Sequence, residues 1–145
     1  MRALNRFIGL LFWICLAASQ AAHGATPSLT DAQASAVRSV VQAQLAAFAV
    51  DDAVRAFSFA SPGIRTQFRT AENFMSMVRA AYPMVYRPAS VAFEKPELRQ
   101  EIAIQRVHMT DLQGDPWLAI YRLNKAGKTW RILGCVVVPV SAQTT

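Results

Sequence analysis

The sequence predicts an α+β fold in which helices come first and pack on one face of a curved antiparallel sheet. Two observations carry this prediction. Apolar residues recur at helical spacing in the first half of the chain, whereas the second half contains runs of β-branched and aromatic residues separated by turn-forming residues. Helices grouped before strands, rather than alternating with them, indicate an α+β arrangement.

The first helix is expected to begin after Thr30, a good N-cap residue, and to end near Val50. One apolar stripe faces the core, at Val37, Val41, Leu45 and Phe48. The adjacent carboxylates Asp51 and Asp52 then interrupt the pattern. We interpret them as the cap of a short second helix, which buries Val54 and Phe57.

Ser61 and Pro62 predict a further helical turn, because serine caps a helix and proline is tolerated at its first position. The apolar residues of this turn are Ile64 and Phe68. A third helix is capped by Thr70 and ended by Pro83. Its apolar residues follow the i, i+3, i+4, i+7 spacing of a buried helix face, at Phe74, Met77, Val78 and Ala81.

The second half predicts an extended segment from Pro88 to Phe93, broken by Pro96, and then three long strands. The strands cover residues 101–111, 116–123 and 129–139 and form an antiparallel meander. The turns between them, at 113–116 and 124–127, contain glycine, asparagine and proline. Because residues 132–138 are apolar on both faces, we expect the last strand to be central or covered on both sides.

Residues 1–24 have the pattern of a secretory signal peptide. Arg2 and Arg6 precede an uncharged apolar run at 7–18, and small residues allow cleavage after Ala21 or Gly24. The run is shorter than the roughly 20 residues that span a bilayer, so a cleaved signal is favoured over an uncleaved anchor. The expected product is a periplasmic or secreted protein without membrane attachment. It has a loose segment at 25–30, a single domain at 31–140 and a loose end from 141.

Charge and cysteine content restrict the function further. Loss of Arg2 and Arg6 with the signal takes the 15 basic residues to 13 against 9 acidic ones, a net charge of +4. The basic residues are spread along the chain, which argues against nucleic-acid binding. Cys135 is the only cysteine after residue 24, so the cleaved chain has no internal disulfide. Its apolar neighbours indicate a buried structural thiol.

Candidate catalytic residues are few. Isomerase or dehydratase chemistry needs a general base and a hydrogen-bond donor for the developing oxyanion. His108 is the candidate base, and the candidate donors are Tyr82, Tyr86 and Tyr121. The strand around His108 has no clean apolar face, so solvent exposure is favoured over catalysis. No spacing of histidine, cysteine or carboxylate residues predicts a metal site, and we expect no cofactor.

Arginines near the short helices offer a second kind of site. They are Arg65, Arg69, Arg79 and Arg87. The guanidinium group suits carboxylates and phosphates, so these arginines could bind a small anion. The favoured interpretation is that they lie on outer helix faces and pair with the nearby acidic residues Glu72, Asp51 and Asp52.

Four stretches resemble a secreted bacterial family known as a domain of unknown function. They are QAQLAAF (42–48), FSFASPGIRTQF (57–68), FMSMVRAAYPMVYRP (74–88) and TWRILGCVVV (129–138), and the similarity covers nearly all of residues 31–139. The order of helices and meander also resembles the cone-shaped fold of nuclear transport factor two, ketosteroid isomerase and SnoaL-like proteins. This resemblance implies a fold and no transferable activity.

In that fold the segment after the third helix crosses to the sheet at the rim of the cone. Residues 80–93 are then either a rigid crossover, which is favoured, or a stretch whose Tyr86 and Arg87 form one wall of a pocket mouth. A small apolar or anionic ligand would lie between the third helix and the sheet. The expected lining residues are Phe57, Phe68, Met77, Tyr82, Tyr86, Arg87 and Tyr121.

These observations favour a non-catalytic ligand-binding or protein-interaction module. The alternatives are an isomerase-like enzyme that uses His108 and a tyrosine, and a purely structural partner in an envelope complex. The resemblance also implies a homodimer through the outer face of the sheet. Its apolar candidates are Trp117, Leu133 and Val137, although the sequence does not tell which face of each strand points outward.

Overall fold

The computed structural model describes residues 27–141, and within this range five helices precede five strands. The helices are α1 (Asp31–Ala49), α2 (Ala53–Ser58), α3 (Pro62–Phe68), α4 (Ala71–Ala81) and α5 (Pro83–Tyr86). The strands are β1 (Ser90–Phe93), β2 (Glu97–Arg99), β3 (Ile102–Thr110), β4 (Pro116–Ala126) and β5 (Thr129–Pro139). The predicted α+β class is confirmed, whereas the predicted signal peptide lies outside the described residues.

Side-chain caps determine where the first four helices begin. Each cap residue accepts a hydrogen bond from the backbone N–H three residues later, which satisfies one of the free donors of the first turn. At Thr30 the arrangement is reciprocal, since Gln33 Oε1 also accepts from the Thr30 N–H at 2.9 Å. The caps, all of them predicted, are Thr30, Asp52, Ser61 and Thr70.

The helices differ from the prediction in several details. In α4, Ala81 is exposed although it was assigned to the buried face, and Met75 is buried instead. Val54 is 70 % exposed, because the short helix α2 presents Ala56 to the core instead. The small side chain of Ala56 lets α2 lie close to α1 and α4. Pro83 ends α4 as expected but also starts the unpredicted helix α5, since proline suits the first position of a helix. Val85 of α5 is buried.

The strands form one open antiparallel sheet in the order β1–β3–β4–β5. β2 lies on the same side of β3 as β1 and pairs with the start of β3, whereas β1 pairs with its end. The break at Pro96 is present, but the chain returns to the sheet as β2, which the sequence analysis missed. A two-residue turn at Gln100 and Glu101 joins β2 to β3, and both residues have positive φ angles, 48° and 68°. The strand β4 extends three residues beyond the predicted end, because the tight turn falls at Gly127 (φ 65°).

The last strand is not where the sequence analysis placed it. β5 pairs with β4 alone among the strands and therefore lies at the edge of the sheet, not at its centre. Its outward-facing residue Val136 is 56 % exposed. Apolar residues on both faces of a strand predict burial only on average, and here one face is open to solvent. A register shift between Arg122 and Leu123 leaves Leu133 without a partner on β4, which marks a β-bulge in β5 at Leu133.

The helices cover one face of the sheet, here called the inner face, and the opposite side is the outer face. The apolar stripe of α1 packs against the inner face, and both contribute to a single hydrophobic core. Buried residues of the inner face are Ala103, Gln105, Val107, Met109, Ala119, Tyr121, Leu123, Trp130 and Ile132. No helix within residues 27–141 is both long enough and apolar enough to cross a membrane.

Candidate functional site

A cavity of about 250 Å³ lies between the helices and the inner face of β4 and β5. Helix α1 contributes Gln44 and Phe48, and the sheet contributes Tyr121 and residues 132–135. The remaining walls come from the segment 60–85: Ala60, Ile64, Gln67, Phe68, Phe74, Met77, Val78, Tyr82 and Val85. The volume exceeds the roughly 150 Å³ of a cavity that admits benzene and approaches the lower limit of common small-ligand pockets.

Local helix geometry explains why the walls are apolar. Phe74, Met77 and Val78 of α4 follow the i, i+3, i+4 spacing and therefore share one face of that helix. The ring of Phe74 contacts those of Phe57 and Phe68, with centroids 5.3 Å and 5.6 Å away. Phe68 and Phe74 form part of the cavity wall, and Phe57 supports Phe74 from outside it, at ring separations that favour aromatic packing.

Tyr121 carries an unusual hydroxyl group. The residue is 1 % exposed and lines the cavity, and the weakly hydrogen-bonding Cys135 thiol lies beside its hydroxyl, which makes no hydrogen bond to an oxygen or nitrogen atom of the described residues. Burial raises the pKa of this hydroxyl well above 10, and the neighbouring Cys135 thiol adds to the effect. A buried hydroxyl without a partner is costly, so native structures seldom leave one. Tyr121 is therefore a neutral group able to donate a hydrogen bond to an occupant.

The other polar residues at the cavity are also uncharged. The Gln44 side chain is buried and donates through Nε2 to the carbonyl of Ala56 at 3.1 Å. Burial raises the pKa of the Cys135 thiol to about 12, so the thiol is neutral at physiological pH. No charged side chain of residues 27–141 lines the cavity. Its chemistry is therefore that of an apolar chamber with a few neutral polar groups.

The structure brings together four of the seven predicted pocket residues, namely Phe68, Met77, Tyr82 and Tyr121. Phe57 lies behind Phe74 and does not reach the cavity. Tyr86 and Arg87 are also absent from its walls. Whether a ligand uses the four lining residues stays a prediction.

Tyr86 and Arg87 belong instead to a surface cluster around Asp51. The two carboxylate oxygens of Asp51 accept hydrogen bonds from Arg79 and Arg87, each at 2.8 Å, and Tyr86 donates to the same carboxylate. Both guanidinium groups also lie over the Tyr86 ring, 5.4 Å and 4.9 Å from its centre. The Tyr86 hydrogen bond, followed by that of Arg79, lowers the pKa of Asp51. This cluster ties the α1–α2 turn to α4 and α5, as a rigid crossover would require.

The two adjacent carboxylates thus have separate roles. Asp52 caps α2 through the Arg55 N–H at 3.0 Å, whereas Asp51 binds the arginines. The favoured prediction of arginine–carboxylate pairing holds for Arg79 and Arg87. In the described part of the chain, Arg65 and Arg69 have no carboxylate partner within ion-pair distance.

His108 does not reach the cavity. Its residue partner on β4 is Leu118, on the outer face, whereas Tyr121 lies on the inner face opposite Gln105. The imidazole is 53 % exposed and contacts Glu94 Oε1 at 2.6 Å. The isomerase alternative needed His108 and a tyrosine hydroxyl in one cavity, and the sheet separates them. That arrangement is therefore wrong.

Sequence reasoning missed Gln44, Gln67 and the backbone around Leu133. Gln44 lies three residues after Val41 and four before Phe48, so it falls on the buried stripe of α1. A polar residue on an apolar stripe was a usable signal. Leu133 borders the cavity only because of the bulge, which no local pattern revealed. Among residues 27–141 no group of three histidine, cysteine, aspartate or glutamate side chains could hold a metal ion.

The comparisons with known proteins give a family and no activity. No curated protein and no solved structure matches the chain significantly. A family model does match, over residues 30–145, which includes all five helices and all five strands. The chain therefore belongs to the family described as Domain of unknown function (DUF4864).

Proposed function

We propose that this protein is a non-catalytic binding module whose cavity takes a small, uncharged and mainly apolar group. The unpartnered Tyr121 hydroxyl is the observation that carries the proposal. Tyr121 lines the cavity, and burial keeps its hydroxyl neutral. A ligand with one hydrogen-bond acceptor would satisfy it while burying apolar surface against Phe68, Met77 and their neighbours.

The proposal favours a neutral ligand over an anionic one. A charge buried without a partner is strongly disfavoured, and the cavity walls contain no cation to pair with an anion. Arg79 and Arg87 are already paired with Asp51 on the surface. The anionic alternative therefore has no support from the geometry of the cavity.

Three compounds of similar shape would test the proposal. Acetophenone combines an aromatic ring with one carbonyl acceptor, ethylbenzene lacks the acceptor, and benzoate carries a charge. We expect acetophenone to shift the NMR signals of cavity residues such as Met77 and Val78, and to bind about two- to tenfold more tightly than ethylbenzene. Benzoate should bind most weakly of the three.

Replacement of Tyr121 by phenylalanine supplies the matched control. Tyr121→Phe should abolish the preference for acetophenone over ethylbenzene and leave ethylbenzene binding intact, because only the hydroxyl is removed. Tighter binding of benzoate would contradict the neutral ligand. No shift of any cavity signal with any of the three compounds would contradict the binding function itself.

We further propose export, on the strength of the signal-like pattern in residues 1–24. The test is mass spectrometry of the protein isolated from a bacterial periplasmic fraction. A mass that corresponds to cleavage after Ala21 or Gly24 is expected. The full-length mass, or recovery with the cytoplasm alone, would overturn this part of the proposal.

The relationship to the cone-shaped fold of nuclear transport factor two is also proposed here. It is supported by the order of elements, with helices before a long antiparallel meander, and by the bulge in β5 beside the cavity. An experimental structure that aligns these helices and strands with that fold would test it. A different strand order would contradict it.

A homodimer through the outer face remains part of the proposal, but with different residues. Trp117 and Val137 belong to the inner face and pack against the core, and Leu133 borders the cavity. The apolar residues that β4 and β5 present on the outer face are Leu118, Ile120, Val136 and Val138. Sedimentation of the wild type and of Ile120→Lys tests this arrangement, since the lysine should turn a dimer into a monomer. A wild-type monomer at every concentration would contradict it.

A further inference from the structure

The edge of β5 that faces away from β4 is covered over only part of its length. Phe59 accepts a hydrogen bond from the Ile132 N–H at 2.9 Å, and the Ser61 N–H donates to the Ile132 carbonyl at 2.8 Å. Ala60 and Ile132 thereby form a short parallel bridge. Beyond Ile132, no other part of residues 27–141 pairs with this edge. The open edge is defined here as residues 134–138.

The direction of the free backbone groups follows from the alternation of a strand. Val140 donates its N–H to Pro116 at the start of β4, so Val138 and Val136, which have the same parity, also face β4. Cys135 and Val137 therefore direct their N–H and C=O groups away from the sheet. Ile132 shows the same orientation on the other side of the bulge, since its groups bond to the segment 59–61.

Nothing on the open edge discourages strand pairing. Natural edges are protected by charged residues, prolines, bulges or covering segments. Here the bulge at Leu133 and the proline at 139 lie at the two ends of the open edge and do not protect its middle. The sequence between them, GCVVV, has no charge. Because its free groups are backbone donors and acceptors at strand spacing, the complementary partner is another extended backbone.

The open edge and the cavity meet at Cys135. The Cys135 side chain lines the cavity, and its backbone groups face outward. Residues directly opposite each other on neighbouring strands point their side chains to the same face of the sheet. A residue that paired with Cys135 would therefore direct its own side chain toward the cavity.

We propose that the open edge of β5 binds an extended segment of another protein, which adds a strand to the sheet and inserts one apolar side chain into the cavity. The inserted residue exchanges both backbone hydrogen bonds with Cys135, and the residues beside it lie along the exposed side chains of Val136 and Val138. This inference rests on the proposed function, because it identifies the cavity ligand as a side chain presented on a strand.

The test uses capped peptides of the form Ac-Lys-Thr-Val-X-Val-Thr-Lys-NH2, titrated into the 15N-labelled full chain and followed by NMR. X is leucine, methionine, phenylalanine or tyrosine, with alanine as the control. We expect the amides of Cys135 and Val137 to shift together with cavity residues. The alanine peptide should bind at least roughly tenfold more weakly than the best of the four, because a buried apolar side chain is lost.

N-methylation of residue X separates strand pairing from side-chain binding. The methyl group removes the N–H that would donate to Cys135 and leaves the side chain unchanged, so binding should weaken about two- to tenfold or more. On the protein side, Val137→Pro removes an outward N–H without breaking a hydrogen bond to β4. Val137→Ala keeps that N–H and is the matched control. If Val137→Pro does not fold, the N-methylated peptides on the wild type still decide.

Each outcome has a definite meaning. Binding by no peptide at about 1 mM, with acetophenone still bound, overturns the strand proposal and leaves the cavity function standing. Failure of both probes overturns both. Peptide binding that is unaffected by N-methylation overturns edge pairing. A dimer that Val137→Pro abolishes and Ile120→Lys does not would assign the edge to a second copy of this chain, and the proposal would again be wrong.

Discussion

The Tyr121 hydroxyl combines a cost in stability with a use in binding. A buried polar group without a partner destabilises the folded state, whereas the same group becomes favourable once an acceptor reaches it. We expect Tyr121→Phe to raise the free energy of unfolding by about 1 kcal/mol, because the phenyl ring keeps the packing and loses the unsatisfied group. Urea unfolding at neutral pH measures the change.

Tyr82→Phe is the matched control, since Tyr82 also lines the cavity but is only half-buried. Its hydroxyl can reach solvent, and we expect a change within about 0.5 kcal/mol. A loss of stability in Tyr121→Phe would show that its hydroxyl is bonded in solution. The hydroxyl would then not be available to a ligand, which would also weaken the proposed function.

For single residues, the sequence predicts which side chains face the core better than it predicts which residues they contact. The helical spacing of Met77 and the tyrosine beyond it pointed to one side of a cavity, and the structure has both in its walls. Tyr86 was assigned to the same wall because it is close in sequence. One helical turn, α5, directs it to Asp51 instead, and a contact between residues 35 apart has no local signature.

The short elements around the cavity are held by surface contacts as well as by the core. Helix α5 has only four residues and no side-chain cap, so the Asp51 cluster is its main polar attachment. We expect Asp51→Asn to increase hydrogen exchange at the α5 amides, because the charge that holds Arg79 and Arg87 is lost. Asparagine tolerates the positive φ of residue 51, 57°, and so isolates the effect of charge.

Asp52→Asn removes the same charge one residue later and can still cap α2, so α5 should exchange as in the wild type. The pH dependence has a definite sign. The pKa of Asp51 is lowered in the fold, so its stabilising effect is present above 3.8 and is lost as the pH falls below that value. Equal exchange at α5 in both variants would show that the cluster does not hold the helix.

The β2–β3 turn is a site of local backbone strain. Gln100 and Glu101 both have positive φ, a conformation that tight hairpin turns require and that asparagine and glycine adopt more easily. We expect Glu101→Gly to stabilise the protein by about 1 kcal/mol, measured by thermal unfolding. Lys128→Gly, in a turn where Gly127 already supplies the positive φ, should bring no gain. A lower stability of Glu101→Gly would mean that the Glu101 side chain makes a stabilising contact.

Elements defined by local signals were predicted well, and those defined by pairing were not. Thr30, Asp52, Ser61 and Thr70 act on backbone groups three residues away, so the sequence reveals their role directly. β2 has three residues and exists only because β3 pairs with it. The length of β4 depended on which turn residues closed the hairpin, and the glycine at 127 was the deciding one.

For the whole molecule, the main error concerned the position of β5. Seven apolar or small residues in succession, at 132–138, were taken to mean a covered strand, yet the sheet order places them at an edge. A run of this kind is equally typical of a surface that another chain covers. The mismatch therefore has a physical meaning in the proposed strand addition.

Cys135, which lines the cavity between the sheet and the helices, also determines how the stability of the fold changes at alkaline pH. Burial raises the pKa of Cys135 from 9.0 to about 12, so above pH 9 the unfolded chain loses this proton while the folded chain keeps it. Stability is therefore fully present below pH 9 and is lost as the pH rises toward 12, by about 1.4 kcal/mol per unit from this group. The buried Tyr121 hydroxyl acts in the same direction.

Cys135→Ala removes the thiol together with its contribution to the raised pKa of Tyr121, and every other titrating side chain is kept. We expect the free energy of unfolding to fall less steeply between pH 9 and pH 11 in this variant, by about 1.4 kcal/mol per unit, in urea titrations with a reductant present. The alanine itself lowers stability at all pH values, since it enlarges the cavity. Parallel pH profiles would mean that solvent reaches the thiol in the folded protein. In that case the cavity would be open water rather than a site that an apolar side chain can fill.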